Sequence, residues 1–303
     1  MKRLLAAGLL LAAFGCADRD GGPAVRATPE PGFQDSSAYA LLERQVAFGP
    51  RVPGSPGHQA QLEWMTAYLR ERADTVVLQP FTHTTSDGDT VRLTNVFARF
   101  QPDTSARVLL ITHWDTRPIA DQDPDADRRN QPIPGANDGA SGTAVLMELA
   151  DVFSRHSPPI GVDLLFTDGE DYAPGEMYLG AKYFAANLPA GYRPLYGVLV
   201  DMVGDRNPAF PVEPYSNQYA PEVVARVWRL AEDLDLGRFF PKRSGIAALD
   251  DHIPLNEAGI RTIDIIDFDY RQWHTVEDDV ENTAPHGLEA VGTVLAELVY
   301  RGG

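Results

Sequence analysis

Four short runs dominated by apolar residues recur along the chain, and three of them stop abruptly at an ionisable side chain. Val108-Leu109-Leu110-Ile111-Thr112 ends in His113, Val162-Asp163-Leu164-Leu165-Phe166-Thr167 ends in the acids Asp168, Glu170 and Asp171, and Tyr196-Gly197-Val198-Leu199-Val200 ends in Asp201. A fourth run, β-branched, covers residues 260–266. Runs of this length and character are buried parallel strands, and open α/β sheets bind ligands at the carboxyl ends of such strands. Amphipathic helices are expected between them, at residues 39–46, 58–73, 143–153, 181–187, 221–234 and 288–300. Strands alternating with helices predict a three-layer α/β/α sandwich around a mixed, mostly parallel central sheet. Residues 76–81 and 91–100, around the Ser86-Asp87-Gly88-Asp89 turn, read as an antiparallel hairpin at its edge.

The 303 residues, 44% hydrophobic and 23% charged, suit one large domain. A net charge of -17 argues against nucleic acid and anionic membrane surfaces, both of which require clustered Lys and Arg. At the N-terminus, Lys2 and Arg3 precede an apolar run that closes on Gly15-Cys16, the order of an export signal and too short for a spanning helix. Residues 1–16 are therefore read as an export and lipoprotein signal, 17–36 as a flexible tether rich in Asp, Gly, Pro and Ser, and 37–303 as the catalytic domain. Cys16, the only cysteine, resembles the acylated residue of a bacterial lipobox, with Ala13 where Leu is usual. The expectation is a monomer in the bacterial cell envelope, touching the membrane only through a lipid on Cys16.

Without a second cysteine there is no internal disulfide and no Cys-ligated metal, so any ion must be held by His and carboxylates. Collecting the polar residues at loop and strand ends gives His113, Asp138, Glu170, Asp171, Asp201, Asp250 and His274. Taken alone, the acids after Thr167 are as consistent with a solvated turn, and Asp138 with a helix N-cap. Together they cannot share a cleft uncompensated: at ~4 Å and an effective dielectric of about 20, like charges repel by about 4 kcal/mol. A cation or shared protons must be present, and zinc best suits such donors. The long loop 117–135 carries alternating acids, but Ala126 and Pro132 stand where a calcium loop needs Gly and Glu, so it is read as a solvated loop.

The segments Thr112-His113-Trp114-Asp115, Gly135-Ala136-Asn137-Asp138, Phe166-Thr167-Asp168-Gly169-Glu170-Asp171, Val200-Asp201-Met202-Val203-Gly204 and Trp273-His274-Thr275 resemble, in order, the metal-site motifs of the zinc aminopeptidase-like superfamily. Asp250 ahead of Asp251-His252-Ile253-Pro254, and Trp273 directly before His274, make the chain most similar to its glutaminyl-peptide cyclotransferases, the glutaminyl cyclases. That resemblance implies cyclisation of N-terminal Gln of peptides or proteins to pyroglutamate with release of ammonia. It implies one Zn2+ held by Asp138, Asp171 and His274, with Glu170 as acid/base, Asp201 and Asp250 completing its proton network, and Trp273 lining the substrate pocket. Asp171 departs from the Glu common at that position. The rival implied by the same superfamily is a two-zinc aminopeptidase, in which His113 and Asp201 become ligands of the second ion and Glu170 activates a water. A non-catalytic lipoprotein binding peptide amino termini is a third possibility, and it would have no need of Glu170.

Overall fold

The computed structural model describes residues 32–303; the export signal, Cys16 and most of the tether lie outside the described residues. Six strands form one sheet in the order β1-β2-β4-β3-β5-β6: β1 Thr75–Thr84, β2 Thr90–Phe100, β3 Arg107–His113, β4 Gly161–Thr167, β5 Gly197–Asp201 and β6 Thr262–Ile266. β1 and β2 form the expected antiparallel hairpin, with Thr84 opposite Thr90, and β2 continues antiparallel onto β4. β1 is one edge of the sheet, and Pro80 in it fits that place, since proline has no N–H to give to a ladder. The four strands β4, β3, β5 and β6 are parallel and buried along their whole length.

Burial on both faces explains the unbroken apolar runs. Val108, Leu110, Val162, Leu164, Val198, Val200, Ile263 and Ile265 share one core with α3 (Ala140–Arg155), α8 (Pro285–Tyr300), α1 (Asp35–Val46) and α6 (Pro221–Asp233). The alternate residues Leu109, Ile111, Leu165 and Leu199 pack on the other side against Phe184 of α4 (Leu179–Ala186) and Leu255 of α7 (His252–Glu257). The result is the expected three-layer α/β/α sandwich. Asp163 is accommodated within β4 because Arg107 chelates it through Nε and Nη2, at 2.5 and 2.8 Å, while Arg99 and the Tyr192 hydroxyl add bonds of 3.0 and 2.8 Å that offset its desolvation.

Three elements differ from expectation. α1 begins at Asp35, inside the segment read as tether, and Phe33 ahead of it lies over α8, where a Cβ on Gly292 would meet its ring at 2.2 Å. Residues 249–254, read as a polar turn, include the start of α7; Pro254 falls in its first turn, where a missing N–H costs nothing. α5 (Pro214–Tyr219) is an additional short helix, capped by Glu213, which accepts from the amides of Tyr215 and Ser216. α2 (Pro56–Arg70) starts two residues before the expected 58, with Pro56 in its first turn and Ser55 accepting from His58 N at 3.1 Å.

The parallel strands β3, β4, β5 and β6 end on one edge, and the chain steps from β3 to β4 on one side and then to β5 on the other. That reversal opens a crevice at the strand ends. α3 is pressed into it: a Cβ on Gly142 would lie 2.3 Å from both the Val200 carbonyl oxygen and Thr112 Oγ1. Gly142→Ala is therefore expected to cost about 1–3 kcal/mol through overpacking, read as a lower thermal midpoint; an unchanged midpoint would contradict this seating of the helix.

Candidate active site

His113 is the last residue of β3, and Asp115 two residues later is fully buried. Asp115 bridges to the end of β4, accepting from the backbone amides of Glu170 at 3.1 Å and Asp171 at 3.3 Å. A backbone-to-carboxylate bridge of this kind fixes where both acids begin, independently of their side-chain rotamers.

Asp138 sits in the turn before α3. Gly139 has φ +95°, and a Cβ there would lie 2.6 Å from the Asp115 carbonyl oxygen, so only glycine closes this turn. Asp278 accepts from Asn137 N at 2.8 Å and Asp138 N at 3.1 Å and is itself held by the Tyr270 hydroxyl at 2.9 Å. On the other side, buried Arg51 donates to the carbonyls of Pro134 and Gly135. With Gly139 at the N-cap of α3 and no side-chain cap bond, Asp138 is not an N-cap; its carboxylate turns to the histidines.

Those contacts form two triads that share Asp138. In one, Asp138 Oδ2 and Asp171 Oδ2 lie 3.6 and 3.3 Å from His274 Nε2. In the other, Asp138 Oδ1 and Asp201 Oδ1 lie 3.1 and 3.2 Å from His113 Nε2. All five side chains are buried, and each triad presents its ligand atoms within 4.8 Å of one another. The first fits a divalent cation on its own chemistry: two carboxylate oxygens and an imidazole nitrogen converge, and buried Asp171 Oδ2 has no hydrogen-bond donor. The second offers the same donor set, two carboxylate oxygens and an imidazole nitrogen, but Asp201 Oδ1 is already hydrogen-bonded to His113 Nε2.

Burial shapes the charge of the site. It pushes Glu170 well above the usual carboxylate range, and the charges of Asp250, Asp171 and Asp251 add to the shift against the opposing pull of His113. Asp250 is raised to about 7 by burial and by Asp201, and Asp251 to about 8 by burial and by Asp250. Burial and the charge of Asp138 also raise Asp171 and Asp201. Asp138 alone in the triads moves down, because His113, His274 and Arg117 outweigh its desolvation. Burial disfavours charge on His113 and His274, but the carboxylates around each override it and raise both.

The structure gathers Glu170, Asp171, Asp138, Asp201, His113 and His274 at one place, with Asp250 buried beside Glu170 as the strongest charge acting on it. Trp273 is half-buried and stacks on His274 at 3.8 Å between ring centroids. Asp168 accepts from Thr94 N at 2.6 Å and from His58 Nε2 at 2.9 Å, which sets it in the turn and apart from the triads. The expectation of a solvated loop at 117–135 fails at its beginning. Arg117 is buried and donates to Asp171 Oδ1 and, as a fork, to both oxygens of Asp121 at 2.8 and 3.1 Å. Asp121 Oδ1 in turn lies 3.3 Å from His274 Nδ1. Buried Asp123 accepts from Val276 N at 3.2 Å and ties the loop to the His274 segment. Sequence reading missed Arg51, Asp115, Arg117, Asp121 and Asp278; only Asp115, two residues beyond His113 at a strand end, carried a positional signal.

Fold and site together define a metal-binding α/β enzyme. Residues 95–299 match the model of Peptidase family M28, and the chain belongs to that family. The glutaminyl cyclase of Bacteroides thetaiotaomicron, solved with N-acetylhistamine, is 36% identical with a TM-score of 0.87, over 89% of this chain and 98% of that one. A leucine aminopeptidase precursor from the same species is 35% identical with a TM-score of 0.88, over 90% and 99%. The glutaminyl-peptide cyclotransferase of Bothrops jararaca is 25% identical over 82% of this chain and 76% of its own length.

Partners that orient metal-binding groups through a further hydrogen bond are generally worth about 10–100-fold in affinity. Asp121→Asn is therefore expected to weaken zinc binding by about that factor, measured by chelator competition; affinity within about twofold of wild type would show that Asp121 does not orient His274.

Proposed function

We propose that the chain is a glutaminyl cyclase, converting the N-terminal Gln of peptides or proteins to pyroglutamate and releasing ammonia. The observation that carries this reading is Glu170: a buried carboxyl at the tip of β4, adjoining the Asp138–Asp171–His274 triad, with the second acid Asp250 raising its proton affinity. The full-length similarity to solved glutaminyl cyclases supports it.

Asp138, Asp171 and His274 would hold one zinc, which when bound supplies a Lewis acid for the γ-carboxamide oxygen. Everything else falls to the chain's own groups. Glu170 accepts a proton from the substrate α-amine as its nitrogen attacks the γ-carbonyl carbon. The same proton passes to the departing amide nitrogen, so one C–N bond forms, one breaks, and ammonia leaves. A carboxyl whose proton affinity is raised by burial and by Asp250 suits both halves of that transfer better than an exposed one. Asp201, between His113 and Asp250, completes the network. Trp273 lines the substrate pocket, where folding the flexible Gln side chain toward its own amine is the main demand of an intramolecular attack.

The second triad favours a rival reading, a two-zinc aminopeptidase with His113 and Asp201 as additional ligands and Glu170 activating water. Substrates separate the two. Wild-type protein is expected to release ammonia from Gln-initiated dipeptide amides and no leucine from leucyl peptides. Glu170→Gln should lower ammonia release by about 10²–10⁴ while retaining zinc. Leucine release without ammonia would sink the cyclase reading.

A further inference from the structure

A cavity of about 610 Å³ opens on the same edge of the sheet as the triads, walled by the loops following β5 and β6 and by residues 243–246. Its volume is that of a ligand site. Phe268 forms part of its wall, stands 5.1 Å from Trp273 between ring centroids, and so links the cavity by ring contacts to His274. Three arginines from three loops line it: Arg206, Arg243 and Arg271. All are exposed, and no carboxylate of the described residues forms an ion pair with any of them.

The cavity's own acids do not answer them, because most are committed elsewhere. Asp205 accepts from Asn207 N at 3.0 Å, and Asp267 from Ala209 N at 2.9 Å and Asp269 N at 3.3 Å. Glu213 caps α5, accepts from Ala248 N, and lies 3.4 Å from His252 Nε2. Asp269 is the remaining acid and is exposed. Three free guanidinium forks therefore gather in a chain with 43 acidic residues against 26 basic ones. The guanidinium fork matches a carboxylate with two parallel hydrogen bonds.

We propose that this cavity is the subsite for the residues that follow the substrate's N-terminal Gln, and that Arg206, Arg243 and Arg271 select peptides with a carboxylate among those first positions. The inference rests on the cyclase reading for what occupies the metal site. Two sources supply that carboxylate, an acidic side chain or the free C-terminus of a very short peptide, and the choice of peptides separates them.

The test compares kcat/KM for Gln-Ala-Ala, Gln-Glu-Ala, Gln-Ala-Glu and Gln-Lys-Ala, all C-terminally amidated, and for Gln-Ala as acid and as amide. The expected result is a preference of about tenfold for the acidic over the Lys peptide, expressed in KM and shrinking with added salt. Preference confined to the Gln-Ala acid would assign the carboxylate to the C-terminus, and preference confined to Glu peptides to the side chain. In the Arg206→Gln, Arg243→Gln, Arg271→Gln triple variant the ratio should fall toward one. A wild-type ratio within about twofold, or an undiminished ratio in the triple variant, overturns the proposal. Titrating the same peptides into Glu170→Gln protein reads the subsite without turnover. Selective binding with no ammonia from wild type would retract the activity and keep the subsite, whereas ammonia with no selectivity would do the reverse.

Discussion

Too many carboxylates are buried at one sheet edge for all of them to be ionised. Asp138, Glu170, Asp171, Asp201, Asp250 and Asp251 are each no more than 7% exposed, and Asp264 lies behind them with neither oxygen hydrogen-bonded. Facing them are His113, His274 and Arg117. The site must therefore take up positive charge, as protons on the acids at one end and as a cation among the ligands at the other. The upward shifts of Glu170, Asp250, Asp251 and Asp264 belong to the first solution, and the convergence of Asp138, Asp171 and His274 ligand atoms to the second. A carboxyl of raised proton affinity adjoining a triad that fits a cation is one charge imbalance resolved in two ways.

The fold makes that imbalance durable. Parallel strands buried on both faces cannot slip by one residue without turning every side chain to the other layer, so the positions of His113 and Asp201 at the strand ends are fixed by packing. The acids that follow β4 and precede α3 lie in loops, and buried polar contacts hold them: Asp115 to the amides of Glu170 and Asp171, Asp278 to the amides around Asp138, Arg51 to the carbonyls before it. Arg117 and Asp121 extend the same scheme to Asp171 and His274.

Much of this was legible before the structure, for particular reasons. The strands were visible because burial on both faces leaves no polar alternation to hide them, and with them came the layer order and the placing of His113 and Asp201. The ligand roles proposed for Asp138 and Asp171 come from resemblance, because spacing alone leaves Asp138 as good a helix cap as a ligand. What turns it toward the histidines is Asp278, 140 residues away in the chain. No local pattern encodes that contact. Arg117 and Asp121 were hidden for the same reason, inside a Pro- and Asp-rich stretch whose composition reads as solvent-facing. The folded domain starts earlier than composition indicates because Phe33 packs against Gly292 from within a segment of tether-like composition.

The two triads share Asp138, so what separates a one-ion cyclase from a two-ion peptidase is how many ions turnover requires. Stepwise refilling of zinc-stripped protein, with ammonia release from a Gln peptide followed at each step, measures this directly. The account predicts a linear rise that reaches its plateau at one zinc per chain. A rise that continues to two zinc ions per chain would contradict it.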